Sequence, residues 1–158
     1  VLGVNLGMFY KRRDYSRVVN GRNPIVAHEY LGESVEGKTI FVADDIISSG
    51  ESMLDIAYEM KKRKAERLFA CSTAALFTNG LERFDKAVAD GTIYKVVTTN
   101  LTYQTPELLA KPYYINCDMS KYIAYIIDTL NHDSSISDLL NPYDRIQRLV
   151  AKYKAEQN

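Results

Sequence analysis

Two adjacent carboxylates, Asp44 and Asp45, are followed closely by Ser48, Ser49, Gly50, Glu51 and Ser52. Ionised carboxylates only accept hydrogen bonds, so the acidic pair suits the hydroxyls of a ribose or the shell of a magnesium ion. The serine hydroxyls and the free amides of a helix's first turn suit an anion, above all a phosphate. Gly50 would let backbone approach that anion closely. A phosphorylated sugar meets both needs, with its phosphate at the loop and its diol at the acids.

The elements around these residues must bring them to one spot. Ile40-Phe-Val-Ala-Asp-Asp-Ile-Ile47 is an apolar, strand-type run, and at Met53 the apolar spacing becomes helical. A strand thus delivers acids, and a helix start delivers amides. Neighbouring strand side chains face opposite ways, so one acid is expected to turn toward the sheet interior or a covering helix unless the strand ends at Asp44. A plain strand-to-helix turn with an N-cap would explain the serines but not both aspartates.

The rest of the chain repeats strand and helix. Leu6–Tyr10 is strand-like, and Ser52–Lys64 reads as a helix with Met53, Ile56, Ala57 and Met60 on one face. Arg67–Ala74 is predicted as a strand, Leu76–Ala89 as a helix and Tyr94–Thr99 as a strand. A single turn at Pro106, a short strand Tyr113–Cys117 and a helix Ser120–Leu130, with Ile123, Ile126, Ile127 and Leu130 inward, complete the pattern. Tyr143–Gln157 reads as a charged helical extension. Such alternation implies an α/β fold with a parallel sheet, helices on both faces, and ligands at the carboxyl ends of the strands.

Composition bounds the function. The 158 residues are 46% hydrophobic and 25% charged with zero net charge, ordinary for one soluble globular domain. Nothing in the total draws the chain to nucleic acid, and no apolar run approaches the about 20 residues of a membrane span. Charge is concentrated instead: Lys11, Arg12, Arg13, Arg17 and Arg22 face only Asp14 across residues 11–22. A polyphosphate would be drawn there. The same stretch could be a solvated basic loop, with Asn20-Gly21 at the tip of a simple hairpin. Cys71 and Cys117 read as reduced core thiols, which fits a cytoplasmic protein. His28 and His132 are isolated, and Tyr113, Tyr114, Tyr122 and Tyr125 fall in elements expected to be buried.

Val42-Ala-Asp-Asp-Ile-Ile-Ser-Ser-Gly-Glu-Ser52 resembles the phosphoribosyl pyrophosphate (PRPP) binding signature of type I phosphoribosyltransferase folds. Its surroundings are similar to ribose-phosphate pyrophosphokinases: Lys11-Arg-Arg, then Ile25-Val-Ala-His-Glu-Tyr-Leu-Gly, then Val35-Glu-Gly-Lys-Thr-Ile leading into the acids. Thr98-Thr-Asn-Leu-Thr looks like the family's segment after the next strand, and Met119–Leu140 like its closing helix. The resemblance implies residues 1–141 as the phosphoribosyltransferase-like domain, with residues 142–158 as an extension.

It also implies a reaction: transfer of a diphosphoryl group from ATP to the anomeric hydroxyl of ribose 5-phosphate, giving PRPP for nucleotide biosynthesis, with magnesium as cofactor. Lys11 and Arg13 would clamp the transferring group, with Arg12 less directly engaged. Asp44 and Asp45 would hold ribose hydroxyls or magnesium, and Ser48, Ser49, Gly50, Glu51 and Ser52 the 5-phosphate. A homo-oligomer is implied too.

Two departures matter. The family's commoner loop is Asp-Thr-Ala-Gly-Thr, so Ser48 replaces an acid beside the ribose and Glu51 adds one beside the phosphate. The chain also opens on Val1, already near an apolar strand, and is expected to be a piece of a longer polypeptide or a processed product, lacking the family's upstream diphosphate loop and amino-terminal domain. Alone it should bind sugar phosphate with little turnover. Two other readings share the same site: a nucleobase phosphoribosyltransferase, and a catalytically silent regulatory subunit favoured by Ser48.

Overall fold

The computed structural model describes residues 2–13, 16 and 25–156, with backbone alone at 11–13 and 25–28. The chain divides into two compact units, Asn5–Cys117 and a second made of Asp118–Asn158 with Val1–Val4.

The first unit opens with an antiparallel ribbon of β1 (Met8–Arg13) and β2 (Ile25–Leu31). The first strand thus begins two residues after Leu6 and ends three after Tyr10, because pairing carries it through Lys11, Arg12 and Arg13, opposite His28, Ala27 and Ile25. The two arms form a hairpin pair; Asn20 and Gly21 lie outside the described residues.

The main sheet has four strands in the order β3-β4-β5-β6, all parallel: β3 (Thr39–Ile47), β4 (Arg67–Ala75), β5 (Lys95–Thr99) and β6 (Tyr114–Cys117). Parallel neighbours need crossovers, which α1 (Glu51–Lys62), α2 (Glu82–Ala89) and α3 (Pro106–Leu109) supply. The α/β class read from the sequence is the one that forms. Period-two alternation buries Leu68, Ala70 and Ser72 on β4 and Val96 and Thr98 on β5. Met53, Leu54, Ala57 and Met60 of α1 join Phe84 and Ala87 of α2 in the same core cluster. Each large apolar side chain buried there contributes about 1.5–3 kcal/mol.

Helix α2 starts at Glu82 rather than Leu76. The segment before it includes Phe77 at φ 46° and Gly80 at φ 77°, left-handed conformations that interrupt a helix. The amides of Leu76 and Thr78 instead donate to the carbonyls of Ile47 and Ser48, at 2.8 and 3.0 Å.

In the second unit, the single closing helix expected over Met119–Leu140 is two helices, α4 (Ser120–Asn131) and α5 (Ser137–Leu140), separated by Asp133 at φ 51°. They are followed by α6 (Tyr143–Glu156). Ile127 and Leu130, expected inward, are 62% and 56% exposed, and no residue of α4 is buried. Tyr125 is likewise exposed, whereas Tyr113 is buried. Cys71 is half-buried and Cys117 exposed, both as free thiols. Cys117 misses the core because β6 is an edge strand.

Candidate functional site

Strand β3 leaves the sheet at Ile47 and the chain turns through Ser48, Ser49 and Gly50 into α1. This turn is at the carboxyl end of a parallel strand, where ligands of α/β sheets bind. Two features shape it. Gly50 takes φ 83°, a left-handed conformation that disfavours any side chain. The Phe84 ring also lies against its Cα, so that a Cβ there would stand 2.4 Å from Phe84 Cε2. Having no side chain, Gly50 cannot cap α1, whose first intrahelical bond runs from the Leu54 amide to the Gly50 carbonyl at 2.9 Å. Ser49 Oγ accepts a long bond of 3.5 Å from the Glu51 amide.

The acids behave differently from expectation. Strand β3 does not end at Asp44, which lies in register with Ser72, yet Asp44 and Asp45 are both exposed. Among the described residues β3 is an outer strand of the sheet, with β4 as its one neighbour, and both acids at its carboxyl end face solvent. The Asp45 amide donates to Asp44 Oδ1 at 2.9 Å, which fixes the direction of that carboxylate.

Asp44, Ser48, Ser49, Gly50, Glu51 and Ser52 line one cavity of about 100 Å³, with Ile46, Ile47 and Met53 as its apolar part. Asp45 is outside its wall. Pockets that enclose a whole drug-sized ligand are about 300–1,000 Å³, so this cavity suits a single phosphate-sized group with the remainder of the molecule outside it. Among the described residues no group of three or more His, Cys, Asp or Glu is placed to hold a metal ion. Magnesium often takes only one or two carboxylates and completes its shell with water and substrate oxygens, a mode that Asp44 on the cavity wall fits, with Asp45 beside it outside the wall.

Lys11 and Arg13 occupy β1, and their side chains lie outside the described residues. A larger cleft of about 470 Å³ lies at the opposite end of the sheet, near the starts of β4 and β5. Its cations are already engaged: Lys95 Nζ donates to the Pro112 carbonyl at 2.8 Å, and Arg67 lies over the Tyr94 ring.

Three residues that support the site were not singled out from sequence. Phe84 underlies Gly50, Arg83 approaches Glu51 at 3.4 Å, and Thr78 holds the Ser48 carbonyl. An unbalanced Glu51 was the one signal that a cation should be sought nearby. Farther along α2, Asp85 accepts from Lys111 Nζ and from the Tyr113 hydroxyl, each at 2.8 Å. The hydrogen bond from Lys111 holds the Asp85 carboxyl below the usual carboxylate range. Burial first, and the Asp85 bond second, push the Tyr113 phenol well above its ordinary value.

Comparison with known proteins adds the following. Residues 1–104, more than half of the chain, match the family model described as "Phosphoribosyl transferase domain". A ribose-phosphate pyrophosphokinase of Vibrio parahaemolyticus is 27% identical over 139 residues, covering 87% of this chain and 41% of that protein. One from Thermococcus kodakarensis is 30% identical over 112 residues, covering 69% of this chain and 38% of the relative. The fold is similar to that of phosphoribosylpyrophosphate synthetase from Mycobacterium smegmatis, with a TM-score of 0.58 at 17% identity, over 68% of this chain and 35% of that one. The chain thus spans about two fifths of the length of the curated relatives it matches.

Proposed function

The chain belongs to the phosphoribosyl transferase domain family, and we propose that it supplies the ribose 5-phosphate site of a ribose-phosphate diphosphokinase. The observation that carries this reading is the shared cavity, which brings the Asp44 carboxylate and the Ser48–Ser52 loop to one place. Relatives named ribose-phosphate pyrophosphokinase along most of the chain favour this activity over nucleobase transfer.

In this reading the 5-phosphate occupies the cavity against the first turn of α1, where amides and the positive end of the helix dipole favour an anion. The sugar hydroxyls reach outward to Asp44 and Asp45, which accept their hydrogen bonds. Magnesium, when bound, neutralises charge on the phosphoryl oxygens, and the two aspartates are the residues that would hold it. Lys11 and Arg13 lie on the same chain segment as the basic run at residues 11–22, which suits it to the polyphosphate of ATP. Diphosphoryl transfer depends on positioning and charge neutralisation, so two cations on a strand end do more for it than a nucleophilic side chain would. Assembly into a homo-oligomer is part of the same proposal.

The test is product formation. The protein supplied with ATP, magnesium and ribose 5-phosphate should form AMP and PRPP in equal amounts, while this chain alone should bind the sugar phosphate with little turnover. With PRPP and a free nucleobase supplied instead, formation of the nucleoside monophosphate with release of diphosphate and without consumption of ATP would overturn the assignment.

A further inference from the structure

Glu51 puts a negative charge on the wall of the cavity proposed to receive a phosphate, at the first residue of α1. A carboxylate there is attracted by the same helix N-terminus that would hold the ligand, and it repels a second anion. Left alone it would compete with the phosphate.

The structure shows where that charge goes. Glu51 Oε1 lies 3.4 Å from Arg83 Nη1 in the first turn of α2, with both side chains at the surface. The next residue, Phe84, is fully buried against Gly50. Successive helical residues point about 100° apart, so anchoring Phe84 inward fixes Arg83 on the outer side, toward Glu51. Consecutive residues of α2 thus grip consecutive residues of the loop, one through packing and the other through charge.

We infer that Arg83 is a positioning residue for anion binding: it draws the Glu51 carboxylate away from the loop amides and cancels its charge, so that a loop carrying an acid still accepts a phosphate. The inference rests on the proposed sugar-phosphate site and adds a residue to it. An exposed pair of this kind adds little to stability, so its effect is expected in affinity and not in melting temperature.

The experiment is calorimetric titration of the protein and its Arg83→Ala, Glu51→Gln and double variants with inorganic phosphate and with ribose 5-phosphate. Arg83→Ala should weaken both ligands about fivefold at low salt, and by less at high salt as screening sets in. Adding Glu51→Gln to it should restore affinity to within about twofold of the parent. Glu51→Gln alone should bind somewhat more tightly than the parent. A double variant as weak as Arg83→Ala would overturn the inference, since Arg83 would then act on the anion directly. Unchanged affinity in Arg83→Ala would overturn it as well, with the site itself left standing. Failure of the parent protein to bind either ligand would remove both the site and the inference.

Discussion

The Phe84 ring fills the space that a side chain at Gly50 would need, its Cε2 lying 2.4 Å from where the Cβ would be. This contact ties the floor of the Ser48–Ser52 loop to the hydrophobic core, for Phe84 is fully buried. Loop shape and core packing are therefore one property here.

Gly50→Ala should be costly for two separate reasons. A left-handed backbone costs a residue with a Cβ about 1–2 kcal/mol, and displacing a packed ring adds about 1–3 kcal/mol. Chemical denaturation should show a loss of at least about 2 kcal/mol, with phosphate affinity falling as well. A variant as stable as the parent would show that the ring moves aside freely.

The two acids should separate in function. Asp44 is on the cavity wall and Asp45 is not, while the Asp45 amide orients Asp44. Asp44→Asn should weaken ribose 5-phosphate binding about 10–100-fold, the value of a charge-assisted hydrogen bond of about 1.5–3 kcal/mol, and Asp45→Asn by less. Both variants should melt with the parent, because both side chains are exposed. Isothermal titration beside a thermal melt distinguishes the two effects.

Fold class and the position of the strand-to-helix turn were legible in the sequence because each has a local signature. The switch at Met53 from a continuous apolar run to helical spacing marks strand β3 and helix α1, and two acids followed by hydroxyl residues mark the turn between them. What stayed hidden depends on contacts distant in sequence. Strand alternation says that neighbouring acids face opposite ways but not what covers either face, which is why one acid was expected to be buried and neither is. Gly50 and Phe84 are far apart in the chain, and so are Glu51 and Arg83. The outward turn of Ile127 and Leu130 was equally invisible, since helical spacing identifies an apolar stripe but not what covers it.

Turnover should depend on the basic strand end. In the ATP-dependent reaction, Lys11→Ala and Arg13→Ala should each lower kcat about 10²–10³-fold, the usual consequence of removing one preorganised donor to developing charge. The KM for ribose 5-phosphate should change little. Steady-state AMP release measures both, and equal loss in kcat and in ribose 5-phosphate affinity would place these residues at the sugar instead.

The Asp85, Lys111 and Tyr113 cluster should give a pH signature. Because the folded Asp85 carboxyl titrates below its ordinary value, its stabilisation is present above about pH 4 and fades as pH falls through the lower folded value. Lys111 and Tyr113 are shifted upward, so their contribution is present below about pH 10 and lost at higher pH. Asp85→Asn should therefore destabilise at neutral pH and lose that penalty in acid, as followed by thermal melts across the range. Phenolate absorbance of Tyr113→Phe should lack a phenol that titrates above the ordinary tyrosine range.

In the proposed site one phosphorylated sugar spans Asp44 and the Ser48–Ser52 loop. Titrating the isotopically labelled chain with ribose 5-phosphate, while following backbone amide resonances, tests it most directly. Saturable shifts are expected at Ser49 to Ser52 and at Asp44, with ribose lacking its phosphate shifting the loop amides far less. Shifts confined to the cleft at the start of β4 and β5, or none at millimolar ligand, would contradict it.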